Sequence, residues 1–225
     1  MATLTHPRYP LGAPILAPQA PRRVRAKRGD GERLRFEILD AVDTLLARGT
    51  KDDAVSIRAV ADMVGCTPPA IYLHFFDKQE LLFEVCARRF QQLSTHIDLA
   101  TAGVDDPLAA LDAGIRAYVE FGLSHPEHYR VLFMGQSVLT KDQMDELKRT
   151  GVTGTVRLIE RCQRCMDAGL ITATDAKLMA NSIWSMAHGI VSIRIAKPQV
   201  EWPPIAATLD HVLGNYLRGL RVRGD

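Results

Sequence analysis

Along Ser56 to Phe83, SIRAVADMVGCTPPAIYLHFFDKQELLF, apolar positions recur every three or four residues, stop at a glycine, and then resume twice. Ser56 as N-cap with Ile57, Val60, Ala61 and Val64 on one face predicts a short helix that ends at Gly65. Glycine supplies the left-handed backbone of a tight turn, and Ala61 is small enough for a second helix to cross closely. That second helix starts at Thr67 as N-cap with Pro68 at N1, where a missing N–H is harmless and φ is preset. Ile71 and Phe75, four residues apart, form its core pair, so Pro69, Tyr72 and Leu73 fall on the opposite side, free to enter a groove. Asp77-x-x-Glu80 reads as a capping box that opens a third helix, from Lys78 to about Ile97, with Leu81, Leu82 and Val85 inward.

The rest of the chain keeps the helical period. Upstream, Leu34, Ile38, Ala41, Val42 and Leu45 predict a helix over 29–49 that closes a three-helix head, with Gly49 as its C′ residue and a charged loop over 50–54. Downstream, no period-2 alternation of β-branched residues stands out, so the fold class expected is all-α. Leu108, Leu111, Ile115, Tyr118, Val119 and Gly122 stripe one helix, and Pro126 opens a short one offering Tyr129, Leu132 and Phe133 for burial. Thr140 and Gln143 form another capping box, for a helix expected to run unbroken through Met144, Leu147, Val156, Ile159, Cys162 and Met166 to Gly169. The last two helices are expected near 175–196 and 203–220, the second placing Val212 and Leu213 at an interface between two subunits. On the first of them Lys177, Asn181, Ser185, His188 and Ser192 fall within about 80° of one another. Its other faces are apolar, as expected of a helix packed on three sides. The polar stripe could line a cavity, cross a two-fold axis or meet water.

Gly65, Thr67, Pro69 and Ala70, Ile71, Tyr72, Leu73, His74, Phe75, Lys78 and Glu80 to Leu81 resemble, position by position, the DNA-binding segment of the TetR family of bacterial transcription regulators. Pro69 and Leu73 depart from the family's pattern, in which small or polar residues are more usual. Trp184, His188 and Gly189 resemble the W-x-x-x-H-G signature of one subgroup of TetR-like C-terminal domains. The resemblance implies an N-terminal helix-turn-helix head joined by a connecting helix to a larger helical body. It also implies a homodimeric regulator, usually a repressor, that binds an inverted-repeat operator in double-stranded DNA until a small molecule fills the body. Tyr72, His74 and Lys78 are then the DNA-backbone contacts, joined by Ser56 and Arg58, while Thr67, Pro68, Pro69 and Leu73 face the groove. Neither Pro69 nor Leu73 has a side-chain hydrogen-bonding group, so the base feature open to them is the thymine methyl.

Composition agrees with two functional halves. A chain of 225 residues at 47% hydrophobic can bury a sizeable core. Its net charge is only +2, yet residues 1–95 hold 14 Lys and Arg against 11 Asp and Glu. Residues 1–21 contain five of the 12 prolines and are not expected to fold alone. Arg22, Arg23, Arg25, Lys27 and Arg28 follow, a basic arm placed to lie along phosphates or to enter the neighbouring minor groove; the alternative is a solvated tail. The organisation expected is an arm over 1–28, a DNA-binding domain over 29–80, and an effector-binding and dimerisation domain over 81–225. Four cysteines without a secretory leader point to reduced thiols in the cytoplasm, and no apolar run reaches the roughly 18 residues of a membrane span.

Candidate chemistry is sparse. Cys162-x-x-Cys165 lacks a second ligand pair, and His125, His128 and His188 lack a carboxylate at ligand spacing, so neither a metal nor a cofactor is expected. No GxGxxG, P-loop or G-x-S-x-G is present, which leaves enzyme activity unsupported. Tyr118, Phe121, Met134, Met166, Trp184 and His188 are the residues assigned to an effector pocket, for a small lipophilic, acyl-chain-like ligand with one or two polar groups. The alternative is a DNA-binding protein whose body is a partner or assembly module with no effector. Deleting residues 1–21 should leave operator binding nearly unchanged. Deleting through Arg28 should weaken it in a way that high salt largely erases, as read by fluorescence anisotropy on duplex DNA at two salt concentrations.

Overall fold

The computed structural model describes residues 30–48, 55–134, 139–151, 154–172 and 174–220. Arg22, Arg23, Arg25, Lys27, Arg28, Gly49 and the loop over 50–54 lie outside the described residues. Among the described residues all regular structure is helical, and no helix is long and apolar enough to cross a membrane.

Three helices, α1 (Asp30–Ala47), α2 (Ile57–Val64) and α3 (Pro68–Tyr72), close over the first turns of α4 (Lys78–Thr101). Ile38, Val42, Val60, Ile71, Phe75 and Leu81 are fully buried between them. Local chemistry sets the α2 boundaries. The Ser56 hydroxyl accepts from the Ala59 N–H at 3.1 Å, and Gly65 turns left-handed at φ 73° so that the Cys66 N–H donates to the Ala61 carbonyl. Two expected caps differ in detail. Thr67 has the N-cap backbone but its side chain makes no capping bond; Pro69 at N2 lacks one of the N–H groups that such a cap would serve. Asp77 accepts from the Glu80 N–H at 2.8 Å, but the Glu80 carboxylate reaches back to the Phe76 N–H rather than to that of Asp77. The box thus closes one residue early and pins the turn before α4.

α4 runs a turn beyond Ile97 and packs along α5 (Pro107–Ser124), leading from the head into the body. α6 (Pro126–Tyr129) continues into a π-helical turn, Arg130–Met134. The body is completed by α7 (Lys141–Arg149), α8 (Thr155–Asp167), α9 (Ala176–Ala196) and α10 (Ile205–Leu220), with α9 against both α5 and α8. The single helix expected from Thr140 to Gly169 is two helices. The Thr140–Gln143 box opens α7 as expected, but Gly151 (φ 72°) and Gly154 (φ 74°) are left-handed, which no right-handed helix can accommodate.

Within one chain α9 is buried on one side only, through Met179, Ala180, Ile183, Ala187, Val191 and Ile195; Leu178, Trp184 and Ile193 stay exposed. Leu213 belongs to the body's own core, whereas Val212 is half-buried on the outer side, which corrects the expectation that both face a second subunit. At Gly122 α5 packs closely against Val191 of α9 and Tyr129 of α6. A Cβ there would lie 2.7 Å from Val191 Cγ1 and 2.8 Å from Tyr129 Cδ2.

Head and body are joined by charge as well as by α4. Arg35 pairs with Glu84, Arg88 with Asp40 at 2.7 Å, and Arg89 with Asp43, its Nε donating to Oδ1 at 2.5 Å, so α1 is strapped along α4. Arg89 is only 9% exposed and continues into the body, where it donates to Gln92 Oε1 at 2.8 Å and meets His128 Nδ1 of α6 at 3.2 Å. A guanidinium only donates, so Nδ1 accepts and the ring carries its proton on Nε2, which faces Glu127 at 3.5 Å and Asp43 at 4.0 Å. Burial, with the Arg89 charge, lowers the His128 pKa to about 4.

Gly122→Ala should lower stability by about 1–3 kcal/mol, seen as a reduced urea midpoint, because Val191 and Tyr129 have to move. His128 is held neutral by the fold. Its contribution is therefore complete above the unfolded pKa near 6.5 and is lost as pH falls from there towards about 4, at up to about 1.4 kcal/mol per pH unit. Urea denaturation at pH 7, 5.5 and 4.5 should show that loss in the parent chain and a shallower one in His128→Gln.

Candidate DNA-binding face and effector cavity

With Ile71 and Phe75 sealed in the head, the residues between and before them turn outward. Thr67, Pro68, Pro69 and Tyr72 are exposed, and Leu73 is 84% exposed. Ser56 and Arg58 lie exposed at the start of α2; the Ser56 oxygen is engaged as cap acceptor, which leaves its O–H free to donate outward. His74 is half-buried, and a Cβ built on Gly31 would lie 3.7 Å from its Cε1, so the imidazole sits against the first turn of α1. Lys78 is the first residue of α4, half-buried, adding its charge to the positive end of the helix dipole, a combination suited to a phosphate. Phe76, 88% exposed in the turn before α4, was not singled out from the sequence. Its signal was an aromatic residue immediately after the buried Phe75, in a turn otherwise polar.

The body encloses a cavity of about 340 Å³ between α4, α5, α8 and α9, closed on one side by Leu132 and Phe133 of the π-helical turn and by Met144 of α7. Phe90, Leu93 and Ile97 of α4 and Leu111, Ile115 and Tyr118 of α5 form most of its apolar wall. Of the residues assigned to an effector pocket, Tyr118 and Trp184 line it. The other four are placed behind or beyond the wall. Phe121, one turn further along α5, lies between His125 (4.7 Å between ring centroids) and His96 (5.8 Å). Met134 and Met166 pack on the body core, and His188 stacks behind Trp184 at 5.2 Å. Polar groups at the cavity come from Lys148, Thr155, Arg161 and Asn181. Arg161 was legible as the residue three after Leu158 and four before the buried Cys165, which puts it on the inner face of α8. Asn181 is the member of the α9 polar stripe that reaches the cavity, while Ser185 lies on the outer groove with Gly189 and Ile193.

A buried hydrogen-bonded chain leads away from the wall. The Tyr118 and Tyr129 hydroxyls are 2.8 Å apart, and Tyr129 Oη is 2.7 Å from His188 Nδ1. Burial pushes Tyr118 up to about 12 and Tyr129 further above the ordinary phenol range, and pushes His188 down. The chain is thus uncharged at neutral pH. Tyr129 is also the residue after His128, so the cavity wall stands one hydrogen bond from the helix that touches Arg89. Cys162 and Cys165 are fully buried, and burial raises the first thiol to about 12 and the second above its usual value, which keeps both protonated. His125 stacks on His128 at 5.3 Å while His188 turns to Tyr129, so the three histidines do not converge. Among the described residues no three His, Cys, Asp or Glu side chains gather to hold a metal ion.

Comparison with known proteins covers both halves. The family description "Bacterial regulatory proteins, tetR family" matches residues 38–85, and "Tetracyclin repressor-like, C-terminal domain" matches residues 111–216. The chain is 25% identical over 143 residues to the HTH-type transcriptional activator FasR of Mycolicibacterium smegmatis, covering 63% of this chain and 60% of that one. It therefore spans about three fifths of the length of that curated relative. Among solved structures, a protein of unknown function from Rhodococcus sp. RHA1 superposes with a TM-score of 0.70 at 23% identity, over 84% of this chain and 96% of that one. A TetR family transcription regulator from Marinobacter aquaeolei VT8 does so with a TM-score of 0.67 at 18% identity, over 88% and 100%. The capped helix-turn-helix, the matched head and the matched body agree, and the chain belongs to the TetR family of bacterial transcription regulators.

Proposed function

We propose that the protein binds an inverted-repeat operator in double-stranded DNA as a homodimer, acting in the cytoplasm as a repressor that a small lipophilic effector releases. The observation that carries this reading is the continuity from cavity to head. Tyr118 in the cavity wall bonds Tyr129 of α6, and the adjacent His128 meets Arg89, which holds Asp43 of α1. A ligand acts through such contacts only if it binds one head spacing more tightly than the other; a tenfold loss of operator affinity needs about 1.4 kcal/mol of that difference. The relative named FasR is described as an activator, and activation is the same coupling with its sign reversed, the liganded spacing being the DNA-competent one.

In this reading residues 29–80 are the DNA-binding domain and 81–225 the effector-binding and dimerisation domain. Ser56, Arg58, Tyr72, His74 and Lys78 hold the phosphate backbone, while Thr67, Pro68, Pro69 and Leu73 meet the major groove, the last two against thymine methyls. Tyr118 and Trp184 contact the effector. The exposed side of α9 and α10, with Ile193 uncovered and a shallow groove between Gly189, Trp202 and Val212, is the surface for the second subunit.

Selection of bound duplexes from a random pool should return an inverted repeat with half-sites about one helical turn, or a multiple of it, apart; recovery of no repeat would sink the dimeric reading. Lys78→Ala should weaken binding to all sequences alike and lower the salt slope by about one unit, measured by titration across a salt series. Val212→Asp places a charge on the outer face without entering the core, and should weaken the dimer on the order of tenfold or more by light scattering. An unchanged dimer would move the interface elsewhere.

A further inference from the structure

The cavity wall is mostly apolar, and at its Arg161 end the charge does not balance. Arg161 projects from α8 towards α4 and α5, its guanidinium carbon 3.8 Å from where a Cβ on Gly114 would sit, and both residues line the cavity. One N–H group donates to Thr101 Oγ1 at 3.2 Å, out of the five the side chain carries. Its carboxylate neighbour, Asp98 at 3.5 Å, is already paired with Arg157, so two guanidiniums share one carboxylate. Glu160 and Arg164 also act on Arg161, but both are exposed on α8 and oppose each other in sign. Arg161 itself is 15% exposed, and burial lowers its pKa. A cation taken from water in this way is stabilised by an anion that enters beside it.

The opposite end has different chemistry. Phe90 and Phe133 meet edge to face at 5.7 Å, and Tyr118 lies 6.1 Å from Phe133 with its hydroxyl turned to Tyr129. Between the two ends Phe90, Leu93 and Ile97 line two turns of α4, about 10 Å at 1.5 Å per residue. The volume of about 340 Å³ lies in the range of sites that hold small organic ligands, about 300–1,000 Å³.

Resting on the effector reading above, we propose that the cavity takes a single-chain amphiphile with an anionic head, its carboxylate-like head on Arg161 and its tail running along α4 to Phe133. A neutral or cationic head leaves the Arg161 surplus unanswered. Lys148, exposed at the mouth and paired with Asp145 at 3.3 Å, contributes little.

The test is calorimetric titration of the full chain at pH 7 with sodium decanoate, decan-1-ol and decyltrimethylammonium. Decanoate should bind at least tenfold more tightly than decanol, and the cation most weakly. Arg161→Met should abolish the preference for acid over alcohol while leaving decanol affinity within threefold, and Arg161→Lys should retain most of it. Lys148→Ala should change it by less than threefold. Equal binding of decanoate and decanol to the parent chain overturns the anionic-head assignment and leaves the lipophilic effector standing, a comparison that needs no variant to fold. Binding of none of the three, in a chain that still binds DNA, overturns both readings. An acid preference that survives in folded Arg161→Met places the head elsewhere and overturns the site.

Discussion

Arg89 is a charge the fold has taken almost entirely out of water, and that burial obliges three elements to stay together. Asp43 of α1 supplies the counter-charge and His128 of α6 the acceptor, so neither helix can leave α4 without stranding a guanidinium. Breaking such a pair by removing one partner is typically worth about 3–5 kcal/mol, far more than an exposed pair such as Arg88–Asp40. The exposed pairs hold α1 in register; the buried one makes displacement of α6 energetically visible at α1. The π-helical turn after α6 brings Leu132 and Phe133 into the cavity wall on the same segment, so one stretch of nine residues, 126–134, touches both the cavity and the contact to the head.

The buried hydrogen-bonded chain adds a different property. Tyr118, Tyr129 and His188 are held uncharged by burial, so the hydrogen-bonded chain that begins at the cavity wall neither gains nor loses protons near neutrality.

What could be read in advance was what depends on neighbours in sequence. Ser56, Gly65, Pro68 and the Thr140–Gln143 box act on backbone within a few residues, and the head helices and the start of α7 follow them. The α7–α8 break had a visible cause in Gly151 and Gly154, but isolated glycines are tolerated within helices and the apolar stripe ran straight across them. Side and depth were harder. Val212 and Leu213 are adjacent, and only the packing of α10 decides that Leu213 goes inward. Membership of the cavity wall depends on which turn of α5 faces α8, a non-local fact; hence Tyr118 lines it while Phe121, one turn on, does not. Arg89 and Arg161 both carry the i, i+3, i+4 signature of an inward face, which a search for apolar residues passes over.

The outward side of α3 and of the turn that follows it is oily: Leu73 and Phe76 are almost fully exposed, with Tyr72 and Pro69 beside them. A DNA complex formed as proposed, with Lys78 and Arg58 on phosphates, would draw part of its free energy from releasing water at that surface, in addition to the counterions displaced. Its thermodynamic mark is a negative heat capacity of association, so the enthalpy of operator binding grows more favourable on warming, and the entropy less so.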